Sequence, residues 1–360
     1  MSEMKMRLIE CSGTPYEIGF AHGSKAKEEV LKSIATYKVM FKDYGNLEWE
    51  EAKRRSNSYI DYINQFSPDL MEEMRGVAEG AGVELQDILA LNARSEVIMV
   101  PPEAHTPVPS DGCTSLSVSG DSSKDGHILL AQNWDWKDSQ LDSLIVLKIN
   151  RTDKPSITMV TEAGIIGKIG CNSAGLGVCL NALGTPDKPE GVPLHVVLRG
   201  ILDQEKVSDA IEKVNSLKNA CAANYQIAHK NGACVDLEKA PTDFEVTYAE
   251  NGLLAHTNHF ITPRLYHIND ASRLMVHDTF VRLGRTRFLM NKYNGNIDVD
   301  VIKTILTDHV DYPDSICSHN DPKDDIGHRC CTVFSIIMDL TEGKILVAKG
   351  QPCSSQYYEY

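Results

Sequence analysis

Apolar positions in the first third of the chain repeat at helical intervals. Between residues 68 and 81 they fall three or four residues apart, and Ser67-Pro68-Asp69 just before them is a common helix start. Further helix signals lie at residues 12–22 and 85–94. The spacing predicts a mostly helical first third. The apolar positions of the helix after Pro68 are Leu70, Met74, Val77, Ala78 and Ala81.

The helical pattern stops at a proline-rich stretch. Val100–Pro109 contains four prolines. Because proline fixes φ and has no backbone N–H, regular structure does not survive such a run. This stretch is therefore predicted to be a surface loop or linker, and Cys113 follows it directly.

From Cys113 onward, short apolar runs with small residues between them are typical of strands. Residues 113–119 and 127–132 flank a turn at 121–126 and predict a hairpin. Strands in series with helices in blocks favour an α+β layered fold over a βαβ array. The other predicted strands are Leu144–Ile149, Ile157–Thr161, Leu176–Asn181, Tyr225–His229, Phe244–Tyr248, Thr332–Met338 and Lys344–Ala348. The predicted helices are Leu194–Asp203, Val207–Ser216, Ser272–Asn291 and Val299–Thr307.

The hairpin also predicts which residues face each other. If its turn centres near residue 123, an antiparallel register sets Asn133 opposite Cys113 and brings Asp135 nearby. A carboxylate there could orient an amine or hold a proton. The alternative is that Asp135 only caps a strand-to-loop turn.

Net charge and composition limit the classes of partner that we expect for this protein. The 360-residue chain carries a net charge of -14, which argues against nucleic acid or an anionic membrane as the main partner. No apolar run approaches the roughly 20 residues of a membrane span, and the first residues lack the apolar core of a signal peptide. We expect a cytoplasmic protein.

Ten cysteines are dispersed along the chain. Without a secretion signal, reduced thiols are expected rather than a disulfide framework. The sequence has no C-x-x-C pair, no H-E-x-x-H and no zinc-ribbon spacing, so we expect no metal site.

One cysteine could carry chemistry. If the Gly112–Cys113 bond breaks, Cys113 becomes an N-terminus with a thiol and an α-amine, whose ordinary pKa is about 8. The amine could then act as the general base for its own thiol. The alternative is that Cys113 is a small buried hydrophobe, like most cysteines.

Six segments in matching order resemble the penicillin acyltransferase family, which includes acyl-CoA:6-aminopenicillanic acid acyltransferase and the insect β-alanyl-dopamine hydrolases. The resemblance runs from about residue 8 to about residue 350. The segments are Gly13–Gly19, Asp111–Thr114, Gln132–Asp135, Thr161–Lys168, Asn172–Gly175 and His256–His259.

This resemblance implies an N-terminal-nucleophile hydrolase: a single α+β domain over 1–360 built as a four-layer αββα sandwich. Such proteins are made as inactive precursors that cut themselves. Here cleavage would give an α chain of 1–112 and a β chain of 113–360, held together as a non-covalent heterodimer.

The resemblance also implies residue roles. Cys113 matches the nucleophile, and Gly112 precedes the scissile bond. Asp135 matches the active-site aspartate, Asn258 the oxyanion-hole asparagine, and Arg329 an active-site arginine.

One departure from the family lies beside this arginine. Penicillin-processing members tend to have Ser-Arg-Gly where this chain has His328-Arg329-Cys330. We expect His328 in the substrate pocket together with Trp134, which adjoins Asp135. The alternative for Trp134 is simple packing.

The leading functional hypothesis is a self-cleaving amidohydrolase acting on a small N-acyl amine or acyl-amino acid, with N-β-alanyl amines as one candidate class. A close alternative is an N-acyltransferase that needs no cofactor beyond acyl-CoA as acyl donor. A third interpretation is an uncleaved, non-catalytic binding protein, expected to lack at least one of the four catalytic residues.

Overall fold

Two β-sheets form the centre of the protein. They are seen in a computed structural model, which describes residues 5–98, 112–185, 190–268, 270–271, 273, 276–324 and 329–360. The strands are β1 (Arg7–Ser12), β2 (Gly112–Val118), β3 (Leu129–Trp136), β4 (Leu144–Asn150), β5 (Ile157–Glu162), β6 (Ile169–Asn172), β7 (Leu176–Leu183), β8 (Ala222–His229), β9 (Cys234–Lys239), β10 (Phe244–Tyr248), β11 (Leu253–His256), β12 (Cys331–Asp339), β13 (Lys344–Lys349) and β14 (Tyr357–Glu359).

Within the described ranges, seven α-helices precede β2 and four follow it. They are α1 (Pro15–Lys25), α2 (Lys27–Gly45), α3 (Trp49–Ser56), α4 (Ile60–Phe66), α5 (Pro68–Ala81), α6 (Leu85–Asn92), α7 (Arg94–Ile98), α8 (Leu194–Leu202), α9 (Val207–Asn215), α10 (Asp278–Tyr293) and α11 (Val299–Leu306). The predicted helical first third is confirmed. The proline-rich stretch at 100–109 lies outside the described residues.

The sheets stack face to face between helical layers. One sheet has eight strands in the order β1-β4-β5-β6-β7-β8-β9-β10, and the other has six in the order β11-β2-β3-β12-β13-β14. Helices α1, α2 and α8 pack on the eight-stranded sheet, while α10 and α11 pack on the six-stranded sheet. The expected four-layer αββα sandwich is confirmed.

Apolar side chains fill the spaces between these layers. The larger core joins the helices before β2, the eight-stranded sheet and the facing side of the six-stranded sheet. A second core lies between the six-stranded sheet and α10 and α11. Both faces of strands β2 and β3 are therefore buried, and these two strands position the site.

The hairpin register differs by one residue from the prediction. Asn133 pairs with Thr114, and Trp134 is the residue opposite Cys113. The connection is a long loop rather than a tight turn, since the paired residues end at Val118 and Leu129, so its centre was not fixed by the sequence pattern. Asp135 consequently lies opposite Gly112.

Helix α10 begins at Asp278 rather than near Ser272, and residue 272 lies outside the described residues. The other predicted helices and strands are present, with ends shifted by up to a few residues. Strands that the sequence analysis missed are β1, β6, β9, β11 and β14.

Candidate active site

Cys113 is the second residue of β2, a strand in the interior of the six-stranded sheet between β11 and β3. It is 1 % exposed. Its side chain shares a face with Ser115, whose hydroxyl donates to Asn181 Oδ1 on β7 at 2.7 Å. The thiol therefore faces the eight-stranded sheet, inside the sandwich.

Side chains hold both backbone polar groups of Cys113. Its N–H donates to Asn258 Oδ1 at 2.8 Å. Its carbonyl accepts from Arg282 Nη1 at 2.7 Å and from Asn181 Nδ2 at 3.4 Å. The nitrogen that cleavage would convert into an amine is thus already bound by a side-chain oxygen.

Arg282 links these contacts. Its Nη2 donates to Asn258 Oδ1 at 3.1 Å, and its Nε donates to Asp278 Oδ2 at 2.7 Å. Burial opposes the charge of Arg282, but Asp278 and Asp135 outweigh burial and hold its pKa above the ordinary value. A buried, permanently positive group therefore sits next to Cys113.

Arg282 was not predicted from the sequence. A signal was present, because Arg282 lies at helical spacing on the buried side of α10, and a charged residue on a buried stripe needs a partner. The buried residues of that helix are Thr279, Arg282, Leu283, Thr286, Leu289 and Met290.

Asn258 follows β11 and is held from several sides. Its backbone N–H donates to Thr279 Oγ1 at 2.8 Å, and its Nδ2 donates to the Ala182 carbonyl at 3.2 Å. Two residues earlier, the buried His256 ring contacts Glu238 Oε1 at 2.8 Å. Burial lowers the pKa of His256, but the Glu238 contact outweighs it and leaves the pKa raised. This ion pair anchors the segment that carries Asn258.

Asp135 stands on the opposite strand, beside Gly112. Its Oδ1 accepts a hydrogen bond from Thr332 Oγ1 at 2.6 Å. A β-carbon at Gly112 would lie 2.8 Å from Asp135 Oδ2. Any side chain at position 112 would therefore collide with the carboxylate. Gly112 adopts extended strand backbone, so the site requires glycine for space rather than for an unusual φ.

Trp134 is buried on the same face as Cys113. The Lys168 ammonium lies 3.1 Å from the centre of its ring, and Lys168 pairs with Glu162 at 2.5 Å. Burial opposes the Glu162 charge, but Lys168 and Arg94 overcome it and lower the pKa of Glu162 to about 2. The Thr161–Lys168 segment thus supplies a buried ion pair near Trp134, the residue opposite Cys113.

The described hydrogen bonds of Arg329 lead to residues other than Cys113. Its guanidinium donates to the backbone carbonyls of Asp324 at 3.2 Å and Pro322 at 3.3 Å. Its own carbonyl accepts from Lys137 Nζ at 2.8 Å. The arginine that contacts Cys113 is Arg282, and a catalytic role for Arg329 stays a prediction. His328 lies outside the described residues.

The arrangement suits acyl transfer through a thiol. A buried cysteine has its nitrogen, carbonyl and neighbouring carboxylate fixed by hydrogen bonds, with a positive charge close by. Together with the four layers, this defines the class as an N-terminal-nucleophile hydrolase fold.

Sequence comparison identifies the family within this class. A profile of the family acyl-coenzyme A:6-aminopenicillanic acid acyl-transferase matches residues 122–353. An acyl-coenzyme A:6-aminopenicillanic-acid-acyltransferase 40 kDa form from Emericella nidulans is 33 % identical over 348 residues, covering 96 % of this chain and 92 % of that protein. The chain belongs to this family and is an amide hydrolase or acyltransferase.

More distant similarities extend to other organisms. An uncharacterized protein from Archaeoglobus fulgidus is 24 % identical, covering 83 % of this chain and 57 % of that one. Among solved structures, a variant of the conjugated bile acid hydrolase from Clostridium perfringens is 14 % identical, with a TM-score of 0.47 over 69 % of this chain and 96 % of that one. Penicillin V acylase from Agrobacterium tumefaciens is 12 % identical, with a TM-score of 0.45 over 66 % and 83 %.

Among the helices of the described residues, none has the length and apolar character needed to span a membrane.

Proposed function

We propose that this protein cuts its own Gly112–Cys113 bond and then uses Cys113 as an N-terminal nucleophile to hydrolyse a small N-acyl amine or acyl-amino acid. The observation that carries the proposal is a pair of side-chain hydrogen bonds to the Cys113 backbone. The Cys113 N–H donates to Asn258, and the Cys113 carbonyl accepts from Arg282. An ordinary core cysteine on a strand needs no such side-chain partners.

Self-cleavage begins with attack of the Cys113 sulfur on the Gly112 carbonyl carbon. The C–N bond breaks, a thioester forms, and the released nitrogen becomes an amine that keeps its place beside Asn258 Oδ1. Water then hydrolyses the thioester and leaves a carboxylate on Gly112. Asp135, beside Gly112, is positioned to take up and return protons during this exchange.

Turnover repeats the same chemistry on substrate. The amine of Cys113 accepts the thiol proton, directly or through one water, as the sulfur attacks the acyl carbon. It returns this proton to the substrate nitrogen as the C–N bond breaks, so that the free amine leaves and a thioester remains on Cys113. One N–H of the Asn258 amide donates to Ala182, which leaves its second N–H for the developing oxyanion. One such donor is worth roughly 3–4 kcal/mol in the transition state. Water then releases the acid from Cys113.

The two products of self-cleavage have strong reasons to stay together. Strand β1 pairs in parallel with β4 across the whole of Arg7–Ser12. Glu73 on α5 pairs with Arg199 on α8 at 2.8 Å, with both side chains fully buried. Separation would expose these charges and a continuous apolar core. We therefore propose a non-covalent heterodimer of 1–112 and 113–360.

Acyl transfer from acyl-CoA to an amine is the second candidate. The relative from Emericella nidulans, which bears an acyltransferase name, matches over 96 % of this chain. Both functions share one acyl-enzyme and differ in whether water or an amine resolves it, so the same residues serve either reaction.

Incubation of the purified protein with a panel of N-acyl amines, including N-β-alanyl amines, separates these functions. With mass spectrometry as readout, a hydrolase releases acid and amine without acyl-CoA, and a transferase makes new amide only when acyl-CoA is supplied. Both activities should vanish in Cys113→Ala. Turnover that persists in Cys113→Ala would overturn the proposal.

A further inference from the structure

Two histidines and two cysteines converge outside the active site. His309 and His319 come from the segment between α11 and β12, together with Cys317, and Cys353 comes from the turn after β13. Their four ligand atoms all lie within 4.8 Å of one another. We propose that this Cys₂His₂ cluster binds one zinc ion.

Hydrogen bonding alone does not account for the cluster. His319 Nε2 lies 3.1 Å from His309 Nε2, 3.6 Å from Cys317 Sγ and 3.5 Å from Cys353 Sγ. A ring nitrogen has either one proton or one lone pair, so it forms one good hydrogen bond and not three. A cation among the four atoms would satisfy all of them together.

The distances agree with tetrahedral zinc. Bond lengths of about 2.3 Å to sulfur and about 2.0–2.1 Å to nitrogen require about 3.3 Å between two nitrogens and about 3.6 Å between nitrogen and sulfur. The observed separations are 3.1 Å for the nitrogens, and 3.5 and 3.6 Å for the nitrogen–sulfur pairs. Three of the six separations among the ligand atoms thus agree with tetrahedral zinc, and the other three are no longer than 4.8 Å.

The ligand chemistry selects the metal. Two thiolates and two imidazoles are soft and borderline donors that suit zinc, whereas magnesium and calcium take oxygen ligands. Four protein ligands close the coordination sphere, which is the pattern of a structural rather than a catalytic zinc site.

A bound zinc would stabilise a loop that contacts the candidate active site. Ser318, between two of the ligands, donates its N–H to Thr332 Oγ1 at 3.0 Å and accepts from the Thr332 N–H at 3.0 Å. The same Thr332 hydroxyl donates to Asp135 Oδ1. The zinc site would therefore fix the loop that positions Thr332, and through it the carboxylate beside Gly112. The metal site itself does not depend on the proposed function.

This cluster could not be predicted from the sequence pattern, because the ligands do not form a familiar zinc motif. His309 precedes Cys317 by eight positions, and Cys353 follows His319 by thirty-four. Only the turn after β13 brings Cys353 to the other three. The structure thus supports a metal site where the sequence pattern predicted none.

Zinc content of the full-length protein tests this proposal. The chain, purified under reducing conditions and desalted after exposure to zinc, should hold about one zinc per chain by elemental mass spectrometry. Cys353→Ser and His309→Asn should each lower that content at least about fivefold. Both residues are exposed, so the fold should survive these changes. The matched controls Cys330→Ser and His267→Asn should keep the wild-type content.

Cobalt gives a second readout that depends on geometry. Co²⁺ in this site should show the strong visible bands of tetrahedral, thiolate-bound cobalt, and Cys353→Ser should lose them. The series is repeated in Cys113→Ala so that the active-site thiol cannot contribute.

Three results would overturn the proposal. They are a folded protein that binds no zinc, wild-type zinc content in both Cys353→Ser and His309→Asn, or a Cys317–Cys353 disulfide in the reduced preparation.

Discussion

Three side chains from distant parts of the sequence fix the backbone of Cys113. Asn181 comes from β7, Asn258 follows β11, and Arg282 comes from α10. Sequence analysis could predict Cys113, Asp135 and Asn258, because each lies in a motif that is readable along the chain. Arg282 lies in no such motif, and its position depends on the docking of α10 against β2.

Replacing Arg282 should show how much its hydrogen bonds to the Cys113 carbonyl and Asn258 contribute to activity. Arg282→Lys keeps the charge but lacks the planar fork through which Arg282 donates to the Cys113 carbonyl and Asn258. We therefore expect about 100-fold lower kcat/KM, within the range known for lost site donors. Arg285→Lys is the matched control, one turn away on α10, where Arg285 forms a partly buried ion pair with Asp308. Equal activities in the two variants, measured after both are shown to be folded, would contradict this role.

At the scale of elements, α1 and α5 pack unusually close. A β-carbon at Gly19 would lie 1.9 Å from the Glu73 carbonyl oxygen, and one at Gly76 would lie 2.2 Å from that of Tyr16. The periodicity of α5 predicted the helix from sequence, but not that glycines on both helices mark their contact. That depends on which faces meet in three dimensions.

Two glycine-to-alanine changes should move stability in opposite directions. Gly19→Ala forces the helices apart and should lower the free energy of unfolding by about 1–3 kcal/mol or more. Gly284→Ala, in α10 where a β-carbon meets nothing within 4 Å, should raise it by up to about 1 kcal/mol. Thermal unfolding of both variants checks this. A Gly19→Ala protein as stable as wild type would contradict the close packing.

The strands that were not predicted from the sequence have a physical reason in common. Strand β9 carries three buried charged residues, Asp236, Glu238 and Lys239. These residues interrupt the run of apolar residues that is expected of a core strand. Strand β6 has only four residues, one of them Gly170. Both exist because neighbouring strands complete their hydrogen bonding, a non-local effect that no window of sequence contains.

Residues 5–98 are joined to the rest of the described chain by buried polar contacts as well as by strand pairing. The Gly164 N–H donates to His22 Nε2 at 3.1 Å, and the Tyr37 hydroxyl donates to Glu162 at 2.7 Å. Such contacts hold two parts of a fold in register whether or not a covalent bond joins them. They also make the assembly sensitive to pH.

His22 predicts an acid dependence. Burial, and to a lesser degree Arg199, lower its pKa from 6.5 to about 4. At a pH between these two pKa values, His22 is protonated in the unfolded chain but not in the folded protein. The stability that neutral His22 contributes is therefore present above pH 6.5 and is lost as the pH falls toward 4. Over this range the His22 contribution to the free energy of unfolding falls by about 1.4 kcal/mol per pH unit.

The measurement compares wild type with His22→Gln, a neutral side chain that can still accept from Gly164. The variant should lose less stability than wild type between pH 6.5 and 4, in thermal unfolding at several pH values. Parallel pH profiles for the two proteins would show that His22 does not titrate on unfolding.

In the proposed mechanism, Cys113 becomes an N-terminus and then acts as the nucleophile. Intact-mass analysis of the freshly purified 39.8 kDa chain and of Cys113→Ala tests it most directly. Wild type should resolve into two species of about 12 and 27 kDa, in proportion to 112 and 248 of its 360 residues, with the larger beginning at Cys113. Cys113→Ala should remain a single chain of full mass. An intact wild-type chain that is nevertheless active, or a Cys113→Ala chain cut at the same bond, would contradict the account.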